Sequence, residues 1–166
     1  GVFSGMGSSE GVTAAFGEKV TEIPRLMLGA QVKTVKFDGK IKKIGNYAFY
    51  GWSNLGEIEL PESVEEIGNG AFVGCAKLSS ITLGSNITTI GYNAFYGLTN
   101  LTTVTLPSKL KDIAGNAFAN CKNLKEYIVS DENKDLSAKD GVLYGKDETE
   151  LISYPAGKDD QTEFDM

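Results

Sequence analysis

Apolar residues along this chain recur at a fixed step of 23 positions. Ile44 is followed by Ile67, Ile90 and Ile113, Phe49 by Phe72, Phe95 and Phe118, and Leu55 by Leu78, Leu101 and Leu124. Phe37 begins a further row through Leu60, Leu83, Leu106 and Val129. Self-similarity at such a period marks a repeat array, with regular units over 32–54, 55–77, 78–100 and 101–123. The second half of Leu55-Gly56-Glu57-Ile58-Glu59-Leu60 alternates, which points Ile58 and Leu60 inward and Glu57 and Glu59 outward, as in a strand. Pro61 and Pro107 cannot donate to a ladder and end it. Val64-Glu65-Glu66-Ile67 predicts a second short extended piece, and Gly45, Gly68 and Gly91 after such pieces predict a tight turn that Ala114 makes without glycine. The Ala-Phe pair that follows predicts a short helical or 3₁₀ turn, with phenylalanine filling the interior. One such unit buries too little to stand alone, so neighbours must cover both of its flat faces, and the expected fold is a mainly β solenoid.

The pattern is irregular at its start and lapses at its end. Phe16, Val20 and Ile23 precede Phe37, Ile41 and Ile44 by 21 residues, while Val32 precedes Leu55 by 23, so two residues are missing between Leu28 and Val32. Met27-Leu28 stands where later units carry Ala-Phe. Residues 1–11 are small and polar and predict a flexible end; Gly5-Met6-Gly7 lacks the preceding strand and third glycine of a phosphate loop, Glu10 standing in that glycine's place. The array is expected over 12–129. Beyond it, Asp131-Glu132-Asn133-Lys134-Asp135 opens like a calcium loop, but Leu136 and Val142 occupy the positions that need glycine and glutamate. Val142-Leu143-Tyr144 and Leu151-Ile152-Ser153-Tyr154 predict a β-hairpin. Residues 130–166 therefore read as a connector, with Phe164-Asp165-Met166 opening a possible further repeat.

The unit resembles the leucine-rich repeat superfamily and, within it, the BspA-like branch of bacterial surface proteins, whose repeat runs L-x-x-I-x-L-P-x-x-[LV]-x-x-I-G-x-x-A-F-x-x-C-x-x. Leu55, Ile58, Leu60, Pro61, Val64, Ile67, Gly68, Ala71, Phe72 and Cys75 match its fixed positions. Gly84 in place of proline, Trp52 and Leu98 in place of cysteine, and the short first unit depart from it, and the asparagine of conventional leucine-rich repeats has no counterpart. Asp140-Gly141-Val142-Leu143-Tyr144 through Tyr154-Pro155-Ala156-Gly157-Lys158 is similar to the connector between runs of repeats in this branch. The resemblance implies a right-handed solenoid with parallel strands on its concave face. It also implies a non-enzymatic bacterial module, extracellular or at the cell surface, that adheres to host or neighbouring-cell protein. A glycan-binding module and a passive spacer of a larger exported protein are the alternatives.

Composition narrows the chemistry. The net charge of −6, with scattered lysine and arginine, argues against nucleic acid. No apolar run approaches the ~20 residues that cross a bilayer, so no membrane insertion is expected. Gly1-Val2-Phe3-Ser4-Gly5 lacks the features of a signal peptide, and any export signal is expected to lie outside the sequence or to have been removed. The absence of histidine removes Ser-His-Asp and Cys-His nucleophiles. Cys75 and Cys121 occupy one slot two repeats apart, a separation of about 9 to 10 Å at strand spacing, so free thiols are expected. The same slot holds Trp52 and Leu98, which predicts an apolar environment. Glu57 and Glu59 lie on an open sheet without the desolvation that paired catalytic carboxylates need, so no catalysis, cofactor or metal is expected. Asn86-Ile87-Thr88 and Asn100-Leu101-Thr102 fit a glycan-acceptor pattern that matters only in a eukaryote.

The outward strand positions form the candidate binding grid: Thr34 and Lys36, Glu57 and Glu59, Ser80 and Thr82, Thr103 and Thr105, Glu126 and Ile128. Its expected partner is protein, with glycan as the alternative, and the chain is expected to be a monomer. Lys42 with Glu65 and Lys43 with Glu66 should meet across adjacent coils. Tyr47, Tyr50, Tyr92 and Tyr96 are candidates to emerge on the convex side.

Overall fold

The computed structural model describes residues 3–4, 12–26, 29–37 and 40–158. The expectations for Met27-Leu28, Gly5-Met6-Gly7 and Phe164-Asp165-Met166 fall outside these residues. Within the expected flexible end, Phe3–Ser4 forms a short strand, β1. A broad ladder and a narrow one alternate along the chain. The first coil carries β2 (Val12–Phe16) and β3 (Glu22–Ile23), the second β4 (Val32–Phe37) and β5 (Lys43–Ile44). Next come β6 (Glu57–Glu59) and β7 (Glu66–Ile67), β8 (Ser80–Thr82) and β9 (Thr89–Ile90), then β10 (Thr103–Leu106) and β11 (Asp112–Ile113). β12 (Glu126–Val129) is the last broad strand, followed by β13 (Leu136–Lys139), β14 (Val142–Gly145) and β15 (Leu151–Ser153). The result is a β-solenoid of about 5 turns with parallel strands.

The narrow ladder is continuous, in the order β11-β9-β7-β5-β3. Its register follows the repeat, with Ile23, Ile44, Ile67, Ile90 and Ile113 in successive pairs. The broad ladder is paired in groups: β2 with β4, β6 with β8 and β10 with β12, all parallel, with β1 antiparallel on β2. Between β4 and β6, and between β8 and β10, the described residues form no ladder. The two-residue deficit of the first unit is carried as a 21-residue offset from Thr13↔Thr34 to Ile23↔Ile44.

A third face holds the Ala-Phe turns. They are successive three-residue turns, such as Val73 N–H to Gly70 O and Cys75 N–H to Phe72 O; the 3₁₀ helix proper lies at Gly29–Gln31. These turns also donate forward to the next coil, Phe49 N–H to Ala71 O and Phe72 N–H to Ala94 O, both 2.8 Å. Their phenylalanines form the core's axis. Phe49, Phe72, Phe95 and Phe118 stack with centroids 5.0, 5.1 and 4.8 Å apart and planes within 15° of parallel. Left-handed backbone falls in two rows within the turns, Tyr47, Gly70 and Asn93, and Gly51, Gly74, Gly97 and Asn120.

The chain turns tightly after the turn glycines as expected, with Ala48 N–H donating to Gly45 O and Ala94 N–H to Gly91 O, and Ala114 opens the same turn, but the glycines owe their identity to crowding. Gly45, Gly68 and Gly91 are not left-handed, yet a Cβ on each would lie within 2.7 Å of the preceding coil's backbone carbonyl or asparagine side chain. At the far end β13, β14 and β15 form an antiparallel sheet, the predicted hairpin plus one strand. It caps the last coil with buried Leu136, Val142 and Leu143, while Tyr127 closes the phenylalanine row edge-on to Phe118 at 5.6 Å.

Candidate interaction surface

Strand alternation turns every second side chain of the broad ladder outward, and all ten grid residues are exposed: Thr34, Lys36, Glu57, Glu59, Ser80, Thr82, Thr103, Thr105, Glu126 and Ile128. Between them Ile58, Val104 and Tyr127 are buried, so the grid sits on a packed floor. Where β4 and β6 part, Thr34, Lys36, Glu57, Glu59, Ser80 and Thr82 converge on a depression of about 350 Å³. A second depression, of about 380 Å³, adjoins it beside Phe37 and Pro61. Thr13 Oγ1 lies 2.8 Å from Thr34 Oγ1, extending the hydroxyl row into the first coil, a link hidden from the sequence by the 21-residue offset. At the other end Ile128 is 46% exposed, an apolar element in an otherwise polar grid.

The flanks of the grid brace neighbouring coils. Lys42 bonds Glu65 across the narrow ladder and Lys43 lies 2.8 Å from Glu66, as the 23-residue spacing predicted. The bond to Glu66 raises the Lys43 pKa. Glu62 accepts from the Ser85 N–H at 2.8 Å and from its hydroxyl, and these two bonds hold its carboxyl below the usual range. Asn54, Asn100 and Asn123 each donate to the carbonyl 24 residues earlier, an exposed amide row that the sequence reading missed.

The slot of Trp52, Cys75, Leu98 and Cys121 is buried, and both thiols are free. It is more than an apolar hole. Trp52 Nε1 donates to Leu26 O at 3.2 Å, Cys75 Sγ to Phe49 O at 3.2 Å and Cys121 Sγ to Phe95 O at 3.1 Å, each 26 residues back. Burial pushes the Cys75 thiol up to about 12 and the Cys121 thiol to about 11, which keeps both protonated and unreactive. In the first coil the slot holds Gly29, whose Cβ would meet the Trp52 indole at 1.8 Å. A large residue in one coil is thus matched by none in the coil before it.

Tyr47, Tyr50, Tyr92 and Tyr96 are all exposed, at 44%, 47%, 65% and 40%. Arg25 lies 5.8 and 5.4 Å from the Tyr47 and Tyr50 centroids, so these two rings shield a coil's edge as well as facing solvent. Among the described residues no cluster of three carboxylate or thiol side chains could hold a metal. Asn133, in the segment that opens like a calcium loop, is turned inward: it donates to Pro107 O and Leu110 O and accepts from the N–H groups of Asp135 and Leu136. No helix among the described residues is long and apolar enough to cross a membrane.

The chain matches the family profile described as the BspA type leucine rich repeat region, in 6 copies over residues 27–139. No curated protein matches it. Among solved structures it is similar to the pneumococcal vaccine antigen PcpA, at 37% identity and a TM-score of 0.82, over 89% of this chain and 38% of that one. A leucine rich cell surface protein from Faecalibacterium prausnitzii A2-165 is 27% identical with a TM-score of 0.68, over 89% and 47% of the two chains. A leucine-rich repeat protein from Eubacterium ventriosum, 23% identical with a TM-score of 0.65 over 90% and 49%, shares the fold. The chain spans less than half the length of each of these three structures. With the profile covering more than half of its residues and the coil geometry matching, this chain belongs to the BspA-type leucine-rich repeat family.

Proposed function

We propose that this chain is a non-enzymatic interaction module of a bacterial cell-surface or secreted protein, which binds protein through the broad-ladder face. The observation that carries the reading is the grid: ten outward side chains, all exposed, on a floor fixed by packed coils. A rigid face of this kind is ordered before it binds, so little side-chain and loop freedom is lost on association. The names of the neighbours, a vaccine antigen and a cell surface protein, support the location. Glu57 and Glu59 beside the depression favour a partner patch bearing lysine or arginine.

The depression between β4 and β6 favours a second reading, a glycan site, because hydroxyl, carboxylate and ammonium groups converge there on a volume that a sugar ring could enter. A pull-down from candidate surface proteins run beside a glycan array separates the two. Protein retention that is lost in Glu57→Lys/Glu59→Lys and in Thr82→Arg/Thr105→Arg supports protein binding. Retention by sugars alone overturns it.

A further inference from the structure

Each inner strand of the narrow ladder passes its outward carbonyls to the next coil. Gly68 N–H donates to Ile44 O at 2.8 Å, Gly91 N–H to Ile67 O at 2.9 Å and Ala114 N–H to Ile90 O at 3.0 Å. The carbonyls of Lys42, Glu65 and Thr88 are met in the same way. At β11 the series stops. Among the described residues no backbone N–H reaches Lys111 O or Ile113 O. Asp112 and Ala114 donate inward, so strand alternation aims the Ile113 N–H outward as well. The residues that the 23-residue step would place alongside, Asp135 and Leu136, are diverted. Both donate to Asn133 Oδ1, Asp135 O accepts from Lys146, and Leu136 pairs with Gly145 in the capping sheet.

A groove of about 690 Å³ runs along this edge, with Lys111 and Ile113 on one wall and Glu150, Leu151 and Ile152 on the other. Two of the most exposed large hydrophobics line it, Tyr92 at 65% and Leu151 at 58%. It narrows at Gly115, where a Cβ would lie 3.1 Å from Ile152 O.

We propose that the outer edge of β11 is a strand-acceptor site that binds an extended peptide of a partner protein by continuing the narrow ladder. Two carbonyls and one N–H in strand alternation are matched by an extended backbone, and the apolar rim takes the alternate side chains. A second copy of this chain stacked end to end is disfavoured, because the capping sheet fills the space above the core that a whole further coil would need. A single strand needs only the outer edge of β11, along which the groove runs. The site lies off the broad face, so its failure and the failure of the reading of that face are separable.

The probe is a fluorescent nine-residue peptide with the sequence of residues 84–92, whose isoleucines carry the ladder pattern, titrated with the full chain. Saturable binding with a shifted Ile113 amide resonance is expected. Ile113→Pro deletes the outward N–H without touching an inward bond, and Leu151→Glu alters the rim away from the core; each should weaken binding by about tenfold. Backbone N-methylation of the peptide should abolish binding, and Glu57→Lys/Glu59→Lys should leave it unchanged. Absence of saturable binding, equal binding by both edge variants and the parent, or self-association of the protein alone would overturn the proposal.

Discussion

The two ladders differ in what holds them, although the same coils build both. The narrow ladder runs unbroken through five two-residue strands, whose inward side chain is isoleucine every time. The broad ladder has longer strands and more variable outward residues, yet its pairing lapses twice. At both lapses the narrow ladder, the forward-donating turns and the phenylalanine stack remain intact. Coil spacing is therefore set on the other two faces and in the core. That division leaves the broad face free to vary in sequence, and to open a depression, without loosening the stack.

The most severe way to break this comparison is through the stack. Phe95→Ala should destabilise by about 3–5 kcal/mol, because the ring lies between two others with no room for the wall to collapse. Phe95→Asp should unfold the central coils outright. A cooperative melt at the parent temperature would contradict the stacked core. Next come the crowded glycines. Gly68→Ala should lose about 1–3 kcal/mol in chemical denaturation, because the Asn46 N–H lies 2.7 Å from the new Cβ, whereas Gly56→Ala on the broad face, with open space around it, should change stability by less than about 0.5 kcal/mol. Gly29→Val should cost a similar 1–3 kcal/mol or so and be partly rescued by Trp52→Cys, a coupling that a double-mutant cycle would measure.

Smaller effects come from the thiols and ion pairs. Both folded thiols have a pKa raised above the ordinary 9.0, so the folded state holds more protons than the unfolded state between that value and 11 to 12. Their contribution is full below pH 9 and falls as pH rises towards 11 to 12. Melting temperature should drop over that window, and less steeply in Cys75→Ala/Cys121→Ala. Lys43→Gln, which removes an exposed pair with Glu66, should cost no more than about 1 kcal/mol, and less at high salt.

The fold was legible because each row of the repeat becomes one line of contacts. Phe49 to Phe118 could be read as a stack, and Lys43 with Glu66 as neighbours, from spacing alone. The capping hairpin was legible from its two apolar runs around 145–150, but not its third strand, since Leu136-Ser137-Ala138-Lys139 alternates over only four residues and has a single large apolar side chain, Leu136. Other features depend on how closely one coil approaches the next. The reason for Gly68, the match of Gly29 to Trp52, and the three donors in the cysteine slot all arise between residues 22 to 26 apart, where a one-dimensional pattern gives identity but no distance. The grid of outward residues was read correctly as exposed. The depression within it was not foreseeable, because the parting of β4 from β6 has no marker in the rows.

Native-state hydrogen exchange tests the division of labour most directly. The Gly68 and Gly91 amides, bonded across the narrow ladder, should exchange only with global unfolding, while the amides of Glu57 and Glu59, aimed by strand alternation at the gap beside β4, should exchange faster by orders of magnitude. Equal protection of the two sets, or faster exchange at the glycines, would contradict a stack held by its narrow ladder and core.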